Sequence, residues 1–270
     1  MGIELRRLRE AAGLSVQQAG ELLCRSPSSI SKYENGQVRL YRRELDRILD
    51  RYGLEDEALR ARLHTLNDKG RQKGWWLQYR NIANPALIDY VSLEAEAEAI
   101  REYQPLLIPG LFQTEEYARA VITGEPGYNP EEPAEPYVEL RLGRQRLLTG
   151  GSPPPMQVII GEAALRQVRG GREVMIDQLQ LLGDLGQLDY LTLQVLPFTV
   201  SARGASEGPL VMLDVAPSHC VVMSSHALGA VYSDLETTVE RSTLVFEGLR
   251  RAALPEAESL AFVARVSAEL

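Results

Sequence analysis

Lysine is almost missing from this chain. Only Lys32, Lys69 and Lys73 occur in 270 residues, so arginine carries nearly all the positive charge. Cysteine is scarcer still, with Cys24 and Cys220 far apart in sequence. That excludes a disulfide framework and fits a reducing cytoplasm, the expected location. No run approaches the roughly 18 uncharged apolar residues that a membrane-spanning helix needs. The opening MGIELRRLREAAG alternates charge with apolar residues and builds no secretory hydrophobic stretch. There is no Gly-rich loop ending in Lys-Ser/Thr and no G-x-S-x-G elbow, and the only histidines are His64, His219 and His226. His219, Cys220 and His226 suggest a metal at first sight. Neighbours on a strand point to opposite faces, however, and no second cysteine is near, which argues against zinc. Without a nucleophile–base pair or a ligand set, the chain reads as a non-enzyme with no cofactor.

What is present is unevenly distributed. Residues 1–80 hold 16 Lys and Arg against 11 Asp and Glu, a net of +5, whereas residues 81–270 hold 13 against 26, a net of −13. A basic head joined to an acidic body is the pattern of a chain whose head approaches phosphate while its body is held away from it. The length favours two domains, and the 44% apolar fraction allows a sizeable core.

The head shows helical periodicity only. Leu5, Leu8 and Ala12 share a face of a first helix, which Gly13 ends. Ser15 and Gln18 form a capping box for a second helix with Ala19, Leu22 and Leu23 on its buried side. Ser26 caps a third helix, Pro27 occupies its first turn, and Gly36 closes it. A fourth begins near Tyr41 with Leu45, Ile48, Leu49 and Tyr52 in register, and a fifth stripe follows at Leu59, Leu63 and Leu66. Residues 67–92 lose this periodicity and gather Gly, Asn and Pro. The division predicted is a helical domain over 1–70, a linker over 71–92 and a second domain over 93–270. In that linker GWW (74–76) reads as an anchor onto the second domain before it reads as a stacking platform for bases.

In the second half, SLEAEAEAIREY, QTEEYARAVI, Tyr137–Leu148, 172–186, 234–253 and 256–269 read as helices. MQVII, LTLQVLPF, PLVMLDV, HCVVMS and AVY read as strands, being short and rich in β-branched residues. The fold class is therefore multi-domain, an all-α head followed by a mixed α/β (α+β) domain around one sheet.

Val16–Asn35 is a helix-turn-helix candidate. Ala19, Gly20 and Cys24 are small where two helices must approach, and Ile30 and Tyr33 lean the second back on the first. Pro27, Ser28, Ser29, Lys32 and Asn35 then face outward, where such a helix meets base edges in the major groove. Ser donates or accepts at either base, Lys reaches guanine O6/N7, and Asn pairs with adenine N6/N7. Gln17, Ser26, Arg39, Arg42 and Arg43 are placed for phosphate, which fixes position without reading sequence. GLSVQQAGELLCRSPSSISKYENG resembles the lambda-repressor-like, xenobiotic-response-element family of helix-turn-helix domains, departing from its usual Gln at Val16 and its usual Gly at Cys24. The resemblance implies that Arg9 and Glu34 pair across the first and third helices as structural residues.

GWW, LEAEAEAIREYQPLLIPGLFQTEEYARAVI, LRLGRQRLL, GEAALRQ, LTLQVLPF and PLVMLDV are together similar to the actinomycete regulators with an Scr-type, antitoxin-like C-terminal domain. That similarity implies a transcriptional regulator that binds a double-stranded DNA operator. It further implies a small partner protein encoded in the same operon. A homodimer is expected because two heads gain from reading two half-sites. Glu94, Glu98 and Glu102, at i, i+4 and i+8, with Leu111 and Phe112, are the partner-binding candidates: an apolar centre with a charged rim. As a general acid–base set the three glutamates are the weaker reading. The alternative function is a repressor that senses a small molecule in a pocket of the second domain.

Overall fold

A computed structural model describes residues 2–23, 25–34, 42–54, 56–61, 63–64, 74–125, 127–150, 152–202, 204–216, 219–226 and 229–270. The chain divides into two compact units, Met1–Trp75 and Trp76–Leu270.

Among its described residues the first unit holds helices joined by short turns, with no strand. α1 (Gly2–Ala11) ends before Gly13, whose φ of 71° is the left-handed conformation that a Cβ disfavours. α2 (Val16–Leu23) starts at the predicted capping box: Ser15 Oγ accepts from the Gln18 amide at 3.2 Å, and Gln18 Oε1 accepts from the Ser15 amide at 2.8 Å. α3 (Pro27–Glu34) is capped by Ser26, whose Oγ accepts from the Ser29 amide at 3.2 Å. α4 spans Arg42–Arg51, and residues 57–61 and 63–64 are also helical. The apolar faces converge on Leu5, Ala19, Leu23, Ile30, Leu45, Leu49 and Leu63. Truncating one such buried aliphatic side chain typically costs about 2–5 kcal/mol. Of the fifth stripe, Leu66 lies outside the described residues.

The second unit is a six-stranded mixed sheet with helices. Its strands are β1 (Ala99–Gln104), β2 (Met156–Gly161), β3 (Leu191–Leu196), β4 (Leu210–Ala216), β5 (His219–His226) and β6 (Gly229–Ser233), in spatial order β3-β2-β1-β4-β5-β6. β1, β2 and β3 pair in parallel, and β4, β5 and β6 continue antiparallel from β1. The helices are α5 (Pro85–Glu96), α6 (Glu115–Thr123), α7 (Glu135–Arg144), α8 (Arg146–Thr149), α9 (Glu162–Arg166), α10 (Arg172–Leu185), α11 (Glu236–Ala252) and α12 (Glu256–Glu269). Parallel strands need helical crossovers, which α6 to α8 supply between β1 and β2, and α9 and α10 between β2 and β3. Phe246 and Leu249 of α11 pack on Tyr103, Ile159, Met212 and Val222 of the sheet.

Two expectations change. Residues 75–92, expected as linker, carry a short 3-10 helix (Trp75–Tyr79) with Trp76 buried, and then most of α5. The Asn and Pro that read as linker are a cap: Asn84 Oδ1 accepts from the Ala86 amide at 2.9 Å, and Pro85 starts the helix. SLEAEAEAIREY is not one helix. α5 ends at Glu96, Ala97 turns extended at ψ 132°, and β1 takes up Ala99 to Gln104 against β2 and β4.

Candidate nucleic-acid interface

The first unit fixes the orientation of α3 from below. Gly20 packs so closely beneath the turn that a Cβ there would sit 2.8 Å from the Arg25 carbonyl oxygen. Ile30 and Tyr33 are buried, and the Tyr33 hydroxyl donates to Glu44 at 3.0 Å, tying α3 to α4. At the far end of α3 a buried ion pair joins it to α1. Arg9 Nε donates to Glu34 Oε1 at 2.6 Å and its Nη2 to Oε2 at 3.1 Å. The hydrogen bonds to Glu34 raise the Arg9 pKa against the pull of burial, so the guanidinium stays charged. The pairing implied by resemblance is thus formed.

With one side of α3 anchored, the other faces solvent. Pro27, Ser28 and Lys32 are exposed and Ser29 is half-buried. Ser26 Oγ lies 2.9 Å from both the Ser28 and Ser29 hydroxyls, a cluster of rotatable donors and acceptors at the helix N-terminus. Lys32 makes no salt bridge among the described residues, so its ammonium is available. Gln17 is exposed at the start of α2, its amide 3.5 Å from Glu21 Oε1. Asn35 and Arg39 lie outside the described residues, as do Cys24 and the side chains of Arg42 and Arg43 at the start of α4.

The partner-binding candidates of the second unit lie elsewhere than expected. Glu94, Glu102, Leu111 and Phe112 are 2%, 4%, 2% and 1% exposed, so four of the five are interior. Glu98 alone is exposed, in the bend between α5 and β1. Glu94 receives Arg144 Nε at 2.8 Å and Nη2 at 2.7 Å, and Arg144 stacks 5.0 Å over the Tyr90 ring. Burial works against the Arg144 charge, but Glu94 more than offsets it and holds the guanidinium protonated. Burial also raises the Glu102 carboxyl to about 7, with Gln104 donating to it at 2.8 Å. Leu111 and Phe112 sit in a segment stapled by Gln178, which donates to the Phe112 carbonyl at 2.7 Å and accepts from the Thr114 amide at 2.8 Å. Apart from Glu98, these candidates belong to a structural core with hydrogen-bonded buried polar groups.

Cys220 lies beside the Arg101–Asp214 pair, and burial raises its thiol to about 11, which keeps it neutral. No group of three or more metal-ligating side chains occurs among the described residues. No helix among them is long and apolar enough to cross a membrane.

A family model described as a helix-turn-helix domain matches residues 1–63, and one described as a domain of unknown function (DUF5753) matches residues 87–265. No curated protein and no solved structure matches the chain.

Proposed function

The chain belongs to the DUF5753 family and carries a helix-turn-helix domain ahead of it, and from that premise we propose a sequence-specific transcriptional regulator. Its lambda-repressor-like head reads an operator through α3, and its second unit is the regulatory half. The observation that carries this is the outward face of α3. Pro27, Ser28, Ser29 and Lys32 are presented on a helix that Gly20, Tyr33 and the Arg9–Glu34 pair hold in one orientation. Ser28 and Lys32 supply the donors and acceptors that distinguish base pairs in the major groove, while Gln17 and the capped N-terminus of α3 suit phosphate. Asn35, Arg39, Arg42 and Arg43 keep the roles that sequence assigns them.

The regulator works as a homodimer, because one head offers a small interface and two heads gain from half-sites about 34 Å apart. An antitoxin-like partner protein would meet the acidic unit away from the buried Glu94, Glu102, Leu111 and Phe112. Val231, Leu235 and Leu244, 58%, 66% and 75% exposed in β6, the turn after it and α11, support that placement. The experiment is selection of binding sites from a random duplex pool by the full chain. Enrichment of a motif with two related half-sites is the expected result. A pool that binds without converging on any motif contradicts sequence-specific reading.

A further inference from the structure

The second unit holds a cavity of about 560 Å³, within the range of small-molecule sites. Its walls come from the approach to α5, the end of α6 with the loop after it, and α7. Leu87, Ile122 and Leu140 supply apolar wall. The Tyr137 hydroxyl donates to the Ile82 carbonyl at 3.0 Å and braces two walls against each other, while the Tyr128 hydroxyl donates to the Glu132 carbonyl at 2.8 Å within the loop.

Two guanidinium groups line this cavity, and they differ. Arg144 is neutralised by Glu94. Arg141 has one hydrogen bond, to the neutral Gln113 Oε1 at 3.0 Å, and no salt bridge among the described residues. Glu125 and Glu94 act on it only from beyond salt-bridge distance. A half-buried guanidinium with five donors and no hydrogen-bonded carboxylate is costly, and its planar fork matches a carboxylate with two parallel hydrogen bonds. Burial, with Arg144 nearby, lowers its pKa to about 10, the direction expected of a site short of negative charge. The remaining charged groups of the wall, Glu125 and Glu132, are both exposed. Two carboxylates on the solvent side disfavour a dianion such as a phosphate monoester and tolerate a single negative charge bound beneath them.

We propose that this cavity binds a small organic acid with one carboxylate, the carboxylate on Arg141 and an apolar body against Leu87, Ile122 and Leu140. The proposal rests on the reading of the second unit as the regulatory half, and its direct test involves no DNA.

The probes are octanoate and phenylacetate, with octanamide and phenylacetamide as neutral matches, titrated calorimetrically into the full chain. The acids bind and raise the melting temperature, whereas the amides bind at least roughly tenfold more weakly. Arg141→Gln brings the acids down to the level of the amides. Leu87→Trp, which narrows the cavity and leaves Arg141 in the sequence, abolishes both and carries the test should Arg141→Gln not fold. Four results would overturn the proposal: no binding by either acid, equal affinity for acid and amide, unchanged acid binding in a folded Arg141→Gln, or unchanged acid binding in Leu87→Trp. Failure here with a selected operator in hand leaves DNA reading standing. Acid binding without any enriched operator would do the reverse.

Discussion

Glu94, Glu98 and Glu102 belong to one acidic run and have three different fates, each with its own measurable consequence. Glu102 titrates near 7 because burial disfavours its charge, against about 4.5 when the chain is unfolded. The folded state therefore holds its proton more tightly. The stability this provides is fully present below about 4.5 and is lost as pH rises through about 7. The whole effect is on the order of 3 kcal/mol. Glu102→Gln keeps an acceptor for Gln104 and has no such dependence. In urea unfolding between pH 5 and 8, wild type should lose stability relative to the variant as pH rises, and parallel curves would rule this out. Glu94→Gln leaves the buried Arg144 charge half-paired and should cost about 3–5 kcal/mol. Glu98→Lys, in an exposed bend, should stay within about 0.5 kcal/mol in the same assay.

At the scale of elements, the head rests on the approach of α2 to the turn before α3. A methyl group at position 20 meets the Arg25 carbonyl at 2.8 Å. Gly20→Ala should therefore destabilise the first unit by about 1–3 kcal/mol, although alanine is the better helix former. Thermal unfolding followed by helical circular dichroism checks this, and a variant as stable as wild type would show that the turn can shift freely. The head was legible in sequence because its signals are local: Ser15 with Gln18, Ser26 before Pro27, and apolar residues at helical spacing. The strands of the second unit were legible for the same reason. β1 was not, since Glu102 is tolerated inside only through Gln104 and the partner strands β2 and β4, the latter more than 100 residues away in sequence. Leu111 and Phe112 beside charged helices looked like an interface; only the fold shows Gln178 of α10 closing over that segment. Asn84-Pro85 has the composition of a linker yet starts a helix, because a cap signal and a loop signal use the same residues.

The whole molecule joins a head of net +5 over residues 1–80 to a remainder of net −13. Residues 1–75 alone should bind a selected operator more weakly than the full chain, and with a steep loss of affinity as salt rises. Full affinity from a monomeric fragment would remove dimerisation by the second unit from the account. The most direct test of sequence reading by α3 is the ratio of affinities for a selected operator and for random duplex, measured at one salt concentration. Ser28→Ala and Lys32→Ala should each lose about 1–3 kcal/mol on the operator and far less on random duplex, relaxing preference at one base pair. Gln17→Ala should lose similar amounts on both. Equal losses on operator and random duplex for Ser28→Ala and Lys32→Ala would contradict base reading and reduce α3 to a phosphate contact.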